Sequence, residues 1–142
     1  MSDFIERLSE LMLENNLTAD RLAANLGINR STVHRWQKNK RVISLNNVLR
    51  LAKFFNCSLE FLIGRTENKL DFTPRVCPPF YERLRQVMNE RGITWYRIVK
   101  DKVISDANLS TWKNGGATSF GMVIDLANYF GCTLDYLVGL EN

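Results

Sequence analysis

Leu17-Thr18-Ala19-Asp20-Arg21-Leu22-Ala23-Ala24-Asn25-Leu26-Gly27-Ile28-Asn29-Arg30-Ser31-Thr32-Val33-His34-Arg35-Trp36 is the stretch on which the fold turns. Thr18 is a short hydroxyl residue of the kind that accepts a hydrogen bond from a free backbone N–H, so a helix starts there, with Leu22 and Ala23 on its inner side. Gly27 turns the chain, because glycine enters a left-handed C-cap without strain. Asn29 then opens a second short helix whose buried contacts are Val33 and Trp36.

The flanking sequence supplies a scaffold for these two helices. Phe4, Leu8, Leu11 and Met12 recur at i, i+4, i+7 and i+8, an apolar stripe on a helix that runs to about Asn15. After Asn39 a loop leads to Ser44 and a fourth helix with Leu45, Val48, Leu49, Ala52 and Phe55 inward. A last short helix begins at Ser58 and ends at Gly64.

The whole arrangement is written twice. At an offset of 76, Phe4/Phe80, Arg7/Arg83, Leu8/Leu84, Met12/Met88, Thr18/Thr94, Ile28/Ile104 and Trp36/Trp112 are identical. After the loss of one residue, an offset of 75 pairs Ser44/Ser119, Val48/Val123, Ala52/Ala127, Cys57/Cys132, Leu62/Leu137 and Gly64/Gly139. The second copy places Thr94 before a helix carrying Ile98 and Val99, and Ser105 before one that buries Leu109 and Trp112. Val103 stands where the first copy has its turn glycine, so that turn is expected to differ in shape. A repeat this long suits a small independent domain, and no segment shows sustained alternation. The sequence therefore predicts an all-α fold of two tandem five-helix domains, residues 1–65 and 80–142, joined by a linker over 66–79 that Pro74, Pro78 and Pro79 favour in extended form.

Composition bounds the function. With 45% hydrophobic and 24% charged residues, the chain can bury one modest core per half. No secretory signal or membrane-length apolar run is evident, so a cytoplasmic protein without a membrane partner is expected. Cys57, Cys77 and Cys132 form neither a disulfide framework nor a zinc pattern. A lone histidine and the absence of a nucleotide-cradling or metal-protease motif argue against an enzyme, a metal site or a small-molecule cofactor. Of the Asn-x-Ser/Thr triplets that begin at Asn16, Asn29, Asn56 and Asn108, at least three place Asn, Ser or Thr at a helix entrance.

The run from Leu17 to Trp36, followed by Ser58-Leu59-Glu60-Phe61-Leu62-Ile63-Gly64, resembles the helix-turn-helix domain of phage repressors and Xre-type bacterial regulators. The second copy resembles the same family through Ile93-Thr94-Trp95-Tyr96-Arg97-Ile98, Leu109-Ser110-Thr111-Trp112-Lys113-Asn114-Gly115 and Leu134-Asp135-Tyr136-Leu137-Val138-Gly139. The resemblance implies two λ-repressor-like domains and a sequence-specific regulator, a repressor, of transcription that binds double-stranded DNA. Family members often carry a glutamine at the start of helix two; this chain has Ala19 and Trp95 there.

Charge divides the copies. Residues 1–75 hold 12 Lys+Arg against 8 Asp+Glu, a net +4, whereas residues 76–142 hold 7 of each, a net of zero. Between Asn29 and Arg41 there is no acid. Phosphate neutralisation supplies most nonspecific DNA affinity, so the first copy carries the electrostatic footprint. In the docking mode the resemblance implies, the helix from about Asn29 to Gln37 enters the major groove, and Arg30, Ser31, His34 and Arg35 meet base edges. Thr18, Ala19, Thr32, Lys38, Asn39, Lys40 and Arg41 hold the DNA backbone.

In the second copy the equivalent candidates are Asp106, Asn108, Ser110, Thr111 and Lys113, but Asp106 repels phosphate. Trp95, Tyr96, Tyr129 and Tyr136 there suit a protein surface, which favours partner or self-association, and so a homodimer held by the second copies, over a weak second DNA reader or a fold-stabilising duplicate. The alternative is an interaction protein, such as an antitoxin or anti-repressor partner, that keeps this fold for protein contact.

Overall fold

The computed structural model describes residues 4–39, 41 and 43–141. Among them are ten helices and no named strand, the all-α architecture of two tandem five-helix domains. Contacts divide the chain into two units, one of residues up to Asp71 together with Ser119–Gly121, the other of Phe72–Thr118 and the residues from Met122 on.

The first unit contains α1 (Phe4–Glu14), α2 (Ala19–Leu26), α3 (Arg30–Trp36), α4 (Leu45–Phe55) and α5 (Leu59–Leu62). Local chemistry sets these ends. The Thr18, Ser44 and Ser58 hydroxyls accept from the backbone N–H groups of Arg21, Asn47 and Phe61, satisfying donors that a helix start leaves open. Gly27, at φ 68°, is a left-handed cap whose N–H reaches the carbonyls of Ala23 and Ala24. Asn29 has the extended backbone of a cap, yet its side chain makes no capping bond. The core gathers Phe4, Leu8, Leu22, Val33, Trp36, Val48, Leu51 and Leu59, all at most 2% exposed. Leu51 takes the fully buried place on α4, and Leu49, expected inward, is only half-buried. Phe120 completes this core, its ring edge-on to Phe4 with centroids 6.1 Å apart.

The second unit contains α6 (Phe80–Arg91), α7 (Trp95–Lys100), α8 (Asp106–Lys113), α9 (Phe120–Phe130) from Met122 on, and α10 (Leu134–Val138). Its turn differs as the missing glycine implied. A β-branched residue resists left-handed backbone, and Lys102, one residue before Val103, takes that conformation at φ 61°. Helix α7 stops at Lys100 and has six residues where α2 has eight. Helices α2 and α3 form the most extensive helix pair in the chain, while α7 and α8 touch little. Val99 and Leu109, expected to be buried, are half-exposed, although their counterparts Ala23 and Val33 are buried.

One arginine clasp is repeated, buried at Arg7 and half-buried at Arg83. The Arg7 guanidinium lies 4.0 Å over the Phe61 ring and reaches Glu67 at 3.4 Å, fastening α1 to α5. Arg83 sits 4.7 Å over Tyr136 and donates from Nε and Nη2 to that residue's carbonyl, at 3.1 and 2.7 Å, fastening α6 to α10. Linker ends are tied down as well: Ser58 N–H donates to the Lys69 carbonyl at 2.8 Å, and Arg75 N–H to that of Leu140 at 2.9 Å. The stretch free to extend is therefore shorter than residues 66–79. No helix among the described residues is long and apolar enough to cross a membrane.

Candidate nucleic-acid interface

Helix α3 is amphipathic by necessity. Val33 and Trp36 fall one turn apart and are buried, so Arg30, Ser31, His34 and Arg35 share the opposite, exposed face. The Arg30 side chain is 72% exposed. All four candidate base readers thus stand together on one accessible surface.

The candidate backbone contacts border this face. Thr18 and Ala19 sit at the start of α2, Thr18 exposed and Ala19 half-buried. The Thr18 hydroxyl is already engaged as the cap, so α2's remaining N-terminal N–H groups are its offer to an anion. Thr32 is half-buried and its hydroxyl accepts from Arg35 Nη2 at 3.4 Å, which inclines the Arg35 fork along the helix. Beyond the helix, Lys38, Asn39 and Arg41 are exposed, and the Asn39 side-chain oxygen accepts from Arg41 N–H at 3.0 Å. Lys40 lies outside the described residues.

The partners of Asp20 were not foreseen from the sequence. No acid occurs between Asn29 and Arg41, but the α2–α3 packing brings the Asp20 carboxylate within 3.7 Å of Arg30 Nη1 and 3.9 Å of His34 Nε2. All three groups are more than half exposed, so solvent screens these pairs and their contribution to stability is small. Their effect is on aim and field: Asp20 biases Arg30 toward α2 and lowers the positive potential at that edge. The signal was available only as helical geometry between two elements.

The equivalent face of the second unit differs at nearly every position. Asp106 replaces Arg30, Ala107 replaces Ser31, Ser110 replaces His34 and Thr111 replaces Arg35. Asp106, Ser110, Thr111 and Lys113 are exposed. Asn108 serves the helix end instead. Its side-chain oxygen accepts from the Ser105 N–H at 2.9 Å while the Ser105 hydroxyl accepts from Asn108 N–H at 3.1 Å, a closed capping box.

Of the four aromatic residues expected on a protein-contact surface, only Tyr96 is largely exposed, at 74%. Trp95 stacks on Tyr81, with centroids 5.5 Å apart and planes 6° from parallel. The Tyr129 hydroxyl donates to Asp101 at 2.7 Å and that of Tyr136 to Glu90. These three are half-buried because neighbouring helices already use them.

Comparison with known proteins agrees with this architecture. The profile of the Cro/C1-type HTH DNA-binding domain matches residues 7–67 and again 83–142, and the chain belongs to that family. It is also 28% identical over 65 residues to an HTH-type transcriptional activator, BcrR, of Enterococcus faecalis. That match covers 46% of this chain and 32% of the relative, so about a third of the relative's length is represented. No solved structure matches significantly.

Proposed function

We propose that this chain is a sequence-specific, double-stranded-DNA-binding transcription regulator whose first copy reads the major groove with α3. The observation that carries this reading is the exposed Arg30, Ser31, His34 and Arg35 face, bordered by Lys38 and Arg41 and set on a Cro/C1-type scaffold. Arg30 and Arg35 supply bidentate forks for guanine edges, while Ser31 and His34 make shorter polar contacts. Thr18, Ala19, Thr32, Lys38, Asn39, Lys40 and Arg41 hold phosphates and so set register.

Regulation is by repression in this reading, since occupancy of a promoter blocks transcription without any additional contact. The activator name belongs to the relative. The protein acts as a homodimer that presents two first copies to a pseudo-palindrome, because one such domain buries little DNA and half-site spacing then mirrors a twofold axis. The electrically neutral second copy, with Asp106 in the place of Arg30, favours protein contact over a second reading head.

The antitoxin or anti-repressor reading draws on that same second copy and predicts that the first copy has no sequence preference. Selection from a randomised oligonucleotide pool with the purified chain, followed by a promoter reporter, decides between them. An enriched pseudo-palindrome and a reporter that falls on expression support the regulator; a pool that remains random sinks it.

A further inference from the structure

Between α7 and α8 the second unit holds an open cleft of about 380 Å³, lined by Trp95, Tyr96, Val99, Lys100, Asp106 and Leu109. The first unit cannot form its equivalent. There Ala19, Ala23 and Val33 stand in the places of Trp95, Val99 and Leu109, and Ala23 and Val33 are sealed inside a tight α2–α3 pair. Three enlargements at once accompany the early end of α7 and the left-handed turn at Lys102; α7 and α8 touch little, and apolar walls remain in contact with water. A concave, partly apolar surface of this kind can seat a projecting aromatic side chain.

The cleft's rim says what covers it. Tyr96 projects beside the cleft, 74% exposed, with Lys100 Nζ 5.8 Å over its ring. Asp106 stands on the opposite helix, at the start of α8. The surface therefore holds a projecting ring, a hollow of apolar character, one cation and one anion side by side. The set holds both halves of a reciprocal contact, a ring and a hollow, a cation and an anion, so a twofold could bring each Tyr96 to the other cleft and each Lys100 to the other Asp106. An isologous interface requires this reciprocity, in which residue i meets j and j meets i. A nucleic acid does not fit the set, since Asp106 and the apolar walls face where phosphates would run.

We propose that the α7–α8 cleft is the surface on which a second copy of this chain docks, with Tyr96 as the reciprocal anchor and Lys100 paired to the other copy's Asp106. The proposal rests on the homodimer reading above and names its interface. Asp106, in the place of the base-reading candidate Arg30, then serves subunit pairing in the second copy.

Sedimentation equilibrium of the full chain, without DNA, tests it. Tyr96→Asp is expected to weaken dimerisation at least about tenfold, because a truncated or charged central aromatic is among the costliest interface changes. Its melting temperature should hold, since the ring is mostly solvated. Lys100→Glu and Asp106→Lys should each weaken self-association, as two like-charge pairs then meet across the twofold. Mixed together, the two single variants should form a heterodimer in preference to either homodimer, because both cross-pairs are restored. An effect within one chain cannot produce that preference. A dimer indifferent to Tyr96→Asp, with no heterodimer preference in the mixture, overturns this surface and leaves the homodimer standing. A chain that remains monomeric overturns both. If Tyr96→Asp reduces DNA affinity with self-association intact, the face is a DNA contact and the proposal fails.

Discussion

The α2–α3 pair and the α7–α8 pair descend from one pattern and have parted in two respects. In the first, small inner residues and Gly27 let two helices close on each other, and the closed pair carries Arg30, Ser31, His34 and Arg35 outward. In the second, with Trp95, Val99, Leu109 and the Lys102 turn in place, the two helices touch little, and Asp106 stands where Arg30 does. The scaffold beneath is the same in both: a capped α2 or α7, a buried tryptophan closing α3 or α8, an arginine clamped over an aromatic ring of the last helix. Surface chemistry can diverge without loss of fold because the residues that build the core are not those that face outward.

The strongest way to break the claim of a shared scaffold is at the tryptophans. Trp36 is 2% exposed and Trp112 4%, the latter edge-on to Phe80 at 5.3 Å. Truncation of either to alanine should cost about 3 to 5 kcal/mol and melt its own unit, by denaturant titration. Loss of DNA affinity at unchanged stability would show instead that Trp36 stacks on bases.

Next in size are the effects that separate reading from positioning. Arg30→Ala should cost about 1 to 3 kcal/mol on the selected operator and relax preference at one base. Lys38→Ala should weaken all sequences alike and flatten the salt slope by about one unit. Asp20→Asn, by removing the carboxylate 3.7 Å from Arg30, should tighten binding to every sequence and steepen that slope. Titrations across salt and sequence check all three, and identical behaviour of the Arg30 and Lys38 variants would refute the docking. Thr111→Ala in the second copy, at the position equivalent to Arg35 and not among the residues lining the α7–α8 cleft, should leave operator affinity almost unmoved.

Smaller effects sharpen the second unit. Asn108→Ala opens the capping box and should destabilise that unit by about 1 kcal/mol, with no change of operator preference. Lys102→Gly relieves a left-handed lysine and should stabilise it, by up to about 1 kcal/mol, in thermal melts.

The smallest effect is a titration. The Asp101 carboxyl, at the C-terminal cap of α7, is held below the ordinary carboxylate range first by the Tyr129 hydroxyl and then by the Arg97 guanidinium. A lowered folded-state value means that its contribution to stability is present above the unfolded carboxylate range and fades as pH falls through the lowered value. Tyr129→Phe removes the larger cause, so the Asp101 midpoint followed by NMR should move up toward that of an ordinary aspartate. An unmoved midpoint would assign the whole effect to Arg97.

What the amino-acid order by itself determined was everything that a few adjacent residues can settle. The repeat, the caps at Thr18, Ser44, Ser58 and Thr94, the left-handed Gly27, the buried tryptophans and the exposed basic helix face follow from spacing and local hydrogen bonding. Only the tertiary structure decided which groups from different helices meet: Asp20 with Arg30, Arg7 with Phe61, Tyr129 with Asp101, Lys69 with Ser58. It also decided how far α7 stands from α8, and hence that Val99 and Leu109 remain half-exposed. The physical reason is range. Caps and helical stripes are set within one or two turns of chain, whereas the pairing of exposed charges and the closing of a helix pair depend on how bulky side chains from distant positions share one volume.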